Sequence, residues 1–349
     1  MISKVQNWLL KNTFAVSVFL TVSGLFFFVK YAFMDFHEGS GISIITLLFD
    51  FNTVYLEFFR SEFFSFEIPI NEGSYRIVHY FNLLFHVIFA IGTLLYRISK
   101  KKEKRLLQFC YSLLLICAIN AAVYTCIRIG TDTGDINIFF RLFILLKVVF
   151  IFFLSFTYLR NWSLNIRPAS DDKLKLTHFK EFKFKRPSRF QRFAHYSLDT
   201  FLVILIYSQY IFYIPQSWNI IIEDLVGANF LAPFVFLLIS SFYYIVFEGL
   251  FRSTPAKFLT QSSVWHLKDK PVIFPQIVGR SLFRRIPLNT LSFFAEVGWH
   301  DQLSTTTVVK NDVPKSNYRG YFIVVFGIMA ILFIFSFIRE YYREISYWF

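Results

Sequence analysis

Ten ionisable residues in the second half of the chain have types and spacings that could form ion pairs or bind an anion. They are Arg192, His195, Asp199, Glu248, Arg252, Lys257, Arg280, Arg284, Arg285 and Asp301. On a helix, Arg192 and Asp199 share a face about 10 Å apart along the axis. His195 lies between them and could donate a hydrogen bond to the carboxylate, while Glu248 and Arg252, four residues apart, could form a pair of their own.

Asp199 needs an opposite charge, because an unpaired carboxylate just inside an apolar segment is costly. The expected partners are the cations that follow it, Lys257, Arg280, Arg284 and Arg285. Two interpretations remain open: an ion-pair network that holds this part of the chain in place, or a catalytic or transport site. We favour the network, because charge patterns at the edge of an apolar segment often fix its register.

A second set of polar residues, His86, Asn120 and Lys147, lies within apolar segments of the first half. Each lies about 11–12 Å from the outer end of its segment, so three helices would place polar groups in one layer. One hypothesis is a proton- or ion-handling cluster, with His86 titrating and Lys147 as a fixed charge. We favour hydrogen bonds that join the helices, or a lysine extending outward, because no carboxylate joins the layer.

The sequence offers no catalytic set and no site for a metal or cofactor. It contains no nucleophile elbow, no His-Glu-x-x-His zinc motif and no phosphate-binding glycine loop. Cys110, Cys117 and Cys126 fall within one apolar run, where small buried side chains are the simplest interpretation. We therefore expect a protein that is not an enzyme and needs no cofactor.

Composition indicates where these residues lie. Of 349 residues, 55% are hydrophobic and only 17% charged, and the mean hydropathy is +0.49, whereas soluble domains carry about 25% charged residues. This composition excludes an ordinary cytosolic enzyme, a disordered tail and a disulfide-stapled secreted module. The net charge of +13 is concentrated in clusters between apolar runs, which is typical of cytoplasmic loops rather than of nucleic-acid binding.

The apolar runs predict an all-α, polytopic transmembrane helical bundle of about seven spans, since about 20 apolar residues are needed to cross the hydrocarbon. The predicted spans are Thr13–Phe33, Val78–Ile98, Leu106–Ile127, Phe139–Leu159, His195–Ile214, Asn229–Phe251 and Tyr321–Ile338. The segments 97–105, 160–192 and 252–319 carry net charges of +5, +7 and +6, whereas 35–76 carries −5. This alternation predicts a cytoplasmic N terminus.

Two further helical segments are expected beside the bundle. An outer amphipathic helix at about 43–60 lies flat in the outer interface or packs on the bundle. Its polar stripe repeats every three or four residues: Thr46, Asp50, Thr53, Glu57 and Arg60. The segment 277–297 suits an in-plane or re-entrant element at the inner leaflet, where Arg280, Arg284 and Arg285 would face anionic headgroups or bind a lipid phosphate.

An ordered series of motifs in the second half resembles the RDD family of membrane domains. The motifs are Arg192–Asp199, Thr254–Lys257, Arg280–Pro287 with its three arginines, and Gly298–Ser304, which leads to Thr307–Val309. The resemblance covers roughly residues 188–310. It departs at Ala256, where the family usually has glycine, so a positive φ angle at that turn is not required here. The resemblance to the RDD family implies a location in a bacterial inner membrane. Transport is a function repeatedly suggested for that family.

The resulting organisation has four parts. Residues 1–160 form a four-span membrane domain, 161–187 a basic cytoplasmic linker, 188–310 the RDD-like domain, and 311–349 a terminal transmembrane helix and tail.

Two functions remain: a non-enzymatic membrane subunit or scaffold of an envelope complex, or a transporter of a small cation or an anionic amphiphile with Asp199 and the arginines at an inner gate. Scarce midplane carboxylates favour the subunit. The expected partners are anionic lipids of the cytoplasmic leaflet and other envelope proteins, not nucleic acid.

Overall fold

The computed structural model of the chain describes residues 2–33, 51, 73–131, 138–165, 168–169, 184–210, 227–267, 270–284, 299–312, 320–321 and 327. In chain order, their helices and strands are α1 (Ile2–Lys11), α2 (Thr13–Phe33), α3 (Gly73–Ile98), α4 (Arg105–Thr131), α5 (Ile138–Leu164), α6 (Arg189–Tyr210), α7 (Ala228–Phe251), α8 (Pro255–Thr260), β1 (Ser262–His266), α9 (Phe274–Phe283), α10 (Trp299–Leu303) and β2 (Thr306–Lys310). The prediction of a mainly helical protein is confirmed.

Three described helices are each long and apolar enough to cross a membrane. The crossing segments are Arg105–Val123 in α4, Leu142–Leu164 in α5 and Phe230–Phe251 in α7. A fourth candidate is the pair Ser3–Lys11 and Thr13–Phe27, bent by 76° at the break between α1 and α2. The chain is therefore a membrane protein.

The predicted total of seven spans is not confirmed. The described side chains of α3 form only a shorter apolar segment, Leu83–Ile98, and α6 is not among the crossing helices because its first three turns carry arginine, histidine and aspartate. Val313–Phe349 forms a compact unit separate from Met1–Asp312. Within that unit the structure describes Gly320, Tyr321 and Gly327, all helical. The predicted outer amphipathic helix at 43–60 lies outside the described residues, except for Phe51.

The core of the first half combines leucine, isoleucine, aromatic and small residues from α2 to α5. The Tyr111 ring in α4 lies 4.6 Å from that of Tyr158 in α5, and its hydroxyl shares a 2.8 Å hydrogen bond with Ser17 in α2. α2 and α3 approach each other closely at Gly24. A Cβ on Gly24 would lie 2.0 Å from the His86 ring, so only glycine fits there.

The second half contains a two-stranded antiparallel ribbon that the sequence analysis did not predict. β1 pairs with β2 from Ser262 opposite Lys310 to His266 opposite Thr306. Both strands are buried almost throughout, so neither shows the alternation of apolar and polar residues that marks a half-exposed strand. The ribbon brings the residues that follow α8 and α10 to the C-terminal end of α7, where the Val264 N–H donates to the Arg252 carbonyl.

Candidate functional site: a buried charge cluster

The site begins with a tight reversal at the end of α7. Arg252 adopts a left-handed conformation, φ 54°, and its backbone N–H donates to the carbonyl of Glu248 at 3.0 Å. Thr254 is then the N-cap of α8, and Pro255 occupies the first helical turn, where its missing N–H costs nothing. The chain therefore turns back within a few residues and brings Lys257 beside Glu248.

Glu248 is the centre of what we call the charge cluster, defined as Glu248, Lys257, Arg280, Arg284 and Asp301. Its side chain is completely buried and bonds three cations. Oε1 accepts from Lys257 Nζ and, at 2.6 Å, from Arg284 Nη2. Oε2 accepts from Arg280 Nε at 3.0 Å. One carboxylate thus connects α7 with α8, with α9 and with the residue that ends α9.

Arg280 extends the cluster towards the ribbon. Its side chain is 1% exposed, and Nη1 donates both to Asp301 Oδ1 and, at 2.9 Å, to Thr306 Oγ1. We expected this arginine to face lipid headgroups. That expectation was wrong, because the exposed side of α9 carries Phe274 and Leu282 while Arg280 lies on the buried side.

Arg284 also points inward. Its guanidinium lies 3.8 Å from the centre of the Tyr244 ring while bonding Glu248. A guanidinium stacked on an aromatic ring keeps its charge and some solvation by the π face. The expected headgroup contact is thus replaced by an internal one. Arg285 lies outside the described residues.

Asp199 is held by neutral donors. Oδ1 accepts from the Tyr243 hydroxyl at 2.8 Å and the Ala256 N–H at 3.3 Å, and Oδ2 accepts from the Thr254 hydroxyl at 2.6 Å. We expected direct pairing with the downstream cations. Instead, Lys257, Arg280 and Arg284 bind Glu248. Asp199 caps the N-terminal end of α8, where N–H groups and the helix dipole favour a negative charge.

The other predicted members of the site lie around the charge cluster. His195 does not bridge to Asp199 as expected, because its Nε2 shares a hydrogen bond with Thr260 Oγ1. The expected pair between Arg252 and Glu248 is also absent, since the Arg252 guanidinium lies 5.4 Å from the Trp265 ring centre. Arg192 is half-buried one turn before His195 on α6.

Burial and charge act against each other at Lys257. Burial lowers the pKa of its ammonium to about 8, against the attraction of Glu248, which favours the charged form. The two carboxylates and three cations of the charge cluster are bonded to one another directly. Removing one partner from such a buried set costs about 3–5 kcal/mol, because a charge is left without compensation.

Sequence reasoning missed the neutral groups that complete the site: Tyr243, Tyr244, Thr254 and Thr306. Thr254 was detectable, since a threonine before a proline is a common start of a helix. The two tyrosines carried no signal, because aromatic residues are frequent throughout α7.

The first-half polar residues are also buried. His86 packs against Gly24, and Lys147 Nζ lies 5.7 Å from the ring centre of Phe51 and 5.8 Å from that of Phe143. Asn120 is buried in α4. Their meeting in one layer stays a prediction. Of the outer amphipathic stripe, Thr46, Asp50, Thr53, Glu57 and Arg60 all lie outside the described residues.

Within the described ranges, no group of three or more histidine, cysteine, aspartate or glutamate side chains could hold a metal ion. The fold and site define a helical membrane protein whose buried ion pairs join the C-terminal end of α7 to the segments that follow it. No protein-family model, no curated protein and no solved structure matches the chain. The resemblance to the RDD family therefore rests on the sequence motifs alone.

Proposed function

We propose that this chain is a non-enzymatic, RDD-related protein of a bacterial inner membrane that acts as a membrane subunit or scaffold of an envelope complex. The observation that carries the proposal is the enclosure of Glu248 by Lys257, Arg280 and Arg284. A gate needs charges that exchange partners or reach water. This carboxylate has three bonded cations and no exposed surface.

The energetics support a fixed arrangement. Opening the charge cluster would separate buried ions in a low-dielectric region, where each uncompensated charge costs several kcal/mol. Coupled carriers, in contrast, place ionisable groups where a cavity can reach them. The charge cluster is better suited to hold α7, α8 and α9 in one geometry than to cycle between two.

Contacts at one end of the bundle support the proposed cytoplasmic side. The Arg97 guanidinium at the end of α3 lies 5.4 Å from the ring centre of Phe14 at the start of α2. Tyr158 near the end of α5 donates to the Leu9 carbonyl, and Arg160 donates to the Leu250 carbonyl of α7. The cationic ends of these helices therefore gather together, as expected for a cytoplasmic face.

An aromatic stripe on α7 supports a role in assembly. Phe230, Phe234, Leu238 and Phe242 follow one another at intervals of four residues, and all four side chains are exposed. Residues at this spacing share one helix face. Such a face contacts either lipid or another transmembrane helix.

Site-specific photo-crosslinking in native membranes tests the scaffold proposal. A photoreactive residue at position 238 of α7 is compared with one at position 146 of α5, a matched exposed leucine. The proposal expects one discrete protein adduct from position 238 and only lipid adducts from position 146. Lipid adducts alone at both positions, together with a chain that purifies without companions, would overturn it.

The transporter remains a second candidate because Asp199 is bonded to Tyr243, Thr254 and Ala256, which are neutral donors. Its charge could therefore change without breaking an ion pair of the charge cluster. Flux of a cation or an anionic amphiphile in liposomes that is abolished by Asp199→Asn, but retained in Ser197→Ala, would favour transport. Flux unchanged by Asp199→Asn would exclude this residue as the gate.

A further inference from the structure

α1 leaves the bundle at a steep angle and is only lightly packed. Its axis is bent by 76° from that of α2, so when α2 crosses the membrane α1 runs nearly parallel to its surface. Leu9 is buried, and the Leu9 carbonyl accepts from the Tyr158 hydroxyl at 2.8 Å. These contacts fix one side of α1 on α5 and leave most of the helix exposed.

The exposed side of α1 combines apolar and cationic residues. Val5 is 44% and Trp8 60% exposed, and Lys4 and Lys11 are also exposed. Viewed down the helix axis, with about 100° between successive residues, Lys4 and Lys11 point in nearly the same direction and Leu9 points towards the protein. Trp8 points between these two directions. Around the helix the order is therefore protein contact, apolar side, cationic side.

This order is the one required of a helix lying in a membrane interface beside a bundle. Tryptophan is enriched at the level of the headgroups, because its ring is apolar and its N–H is polar. Lysines flanking an apolar face bind anionic headgroups, with about 1 kcal/mol contributed by each cation near the surface.

The surroundings of α1 are also cationic. The contact of Arg97 with Phe14 brings the turn after α3, with exposed Lys100, Lys101 and Lys102, to the end where α1 lies. No acidic residue occurs in the first 33 positions of the chain. The charge of this end therefore complements an anionic bilayer surface.

We propose that α1 is an interfacial helix that docks on anionic phospholipids of the cytoplasmic leaflet. Val5 and Trp8 enter the boundary between headgroups and acyl chains, and Lys4 and Lys11 contact lipid phosphates. α1 anchors the inner ends of α2 and α5 to the bilayer surface. The inference rests on the proposed membrane orientation for its leaflet, and on the structure alone for its geometry.

Spin-label accessibility in the full-length protein tests the proposal. A label is placed at position 8 or position 5 in a Cys126→Ser background, since Cys110 and Cys117 are buried. The matched control is a label at Asn7, which is exposed and lies about 100° around α1 from Trp8, beyond the two lysines. Nanodiscs contain phosphatidylcholine alone, or with phosphatidylglycerol as about one third of the lipid.

The expected result is that labels at positions 8 and 5 meet oxygen more readily than a water-soluble nickel complex, while the label at position 7 shows the reverse. Lys4→Glu with Lys11→Glu should remove the additional shielding that phosphatidylglycerol provides. The proposal is overturned if position 8 is as accessible to nickel as position 7 in both lipids. It is also overturned if position 8 is shielded from both reagents, which would indicate a protein or a second copy over this face.

Failure of the orientation is distinguishable from failure of the docking. A membrane-impermeant thiol reagent is applied to right-side-out vesicles carrying Asn7→Cys in the Cys126→Ser background. Labelling from the outside, with position 8 still in lipid, would keep α1 interfacial but reverse the topology. No labelling until the vesicles are opened is the result expected here.

Discussion

Arg280 and Glu248 are joined by a hydrogen-bonded ion pair of 3.0 Å between Nε and Oε2, with neither side chain exposed by more than 1%. The pair connects α7 with α9. Along the chain, these two helices are separated by the turn after α7, by α8 and by the strand β1. Its partners on either side, Asp301 and Lys257, carry the connection to α10 and α8. A network of this kind is costly to assemble and costly to break, which makes it a specific tie between segments of the chain.

Replacing Arg280 with methionine is expected to lower the free energy of unfolding by about 3–5 kcal/mol, because Glu248 loses one cation and Asp301 loses the hydrogen bond from Arg280. Thermal or denaturant unfolding in mild detergent measures this loss. Arg252→Gln is the matched control, since the Arg252 side chain is half-buried and its guanidinium lies over the Trp265 ring rather than on a carboxylate of the charge cluster. Equal losses in the two variants would contradict the structural role of the charge cluster.

Asp199→Leu should uncap the start of α8. The Ala256 N–H and the hydroxyls of Thr254 and Tyr243 then lose their acceptor, and loss of a cap costs about 0.5–2 kcal/mol. Hydrogen exchange should accelerate most at the first amides of α8, with little change in α4. Exchange that is uniform along the chain would show that Asp199 is not a local cap.

Gly24→Ala should destabilise the contact of α2 with α3. The new Cβ would overlap the His86 ring, and overpacking of this kind costs about 1–3 kcal/mol. His86→Ala in the same chain should recover most of the loss by making room. The matched control is Gly249→Ala, where the nearest atom would be 3.9 Å away. A Gly24→Ala protein as stable as wild type would contradict the packing.

Lys257 predicts a pH dependence with a definite sign. The pKa of this lysine in the folded protein is about 8, below the value of about 10.4 expected for an unfolded chain. Between these values the unfolded state binds more protons, so the contribution of Lys257 to the free energy of unfolding rises with pH. The difference in unfolding free energy between wild type and Lys257→Met should therefore increase from pH 7.5 to about 9.5. A difference that stays constant would show that Lys257 is not destabilised by burial.

Much of the architecture could be predicted because hydropathy acts over whole helices. The strongly apolar runs in α4, α5 and α7 were recognised within a few residues. The ribbon was missed because its strands are short and buried on both sides. α1 was missed because the predicted first span began at Thr13, and ten residues with three polar and two basic side chains gave no spanning signal.

The members of the charge cluster could be named, but their partners could not. Ionisable residues at the ends of apolar runs are few, so Glu248, Lys257 and Arg280 stood out. Which carboxylate each cation meets depends on the reversal after α7 and on the register of β1 with β2. That geometry assigned the cations to Glu248 and left Asp199 to cap α8, the opposite of the simplest expectation from spacing.

The most direct test of a closed, structural charge cluster is the reactivity of a cysteine placed beside it, in the buried contact between α9 and α7 where Ser281 donates to the Ser241 carbonyl. Ser281→Cys is nearly isosteric, and Ser281 is completely buried next to Arg280. The experiment uses a Cys126→Ser background in native membranes and a membrane-impermeant maleimide applied from each side. The cysteine at position 281 should stay unmodified from both sides. Ser188→Cys, an exposed control position before α6, should be labelled. Modification of Ser281→Cys at a rate close to that of Ser188→Cys, from either side, would show that water reaches the charge cluster and would contradict the account.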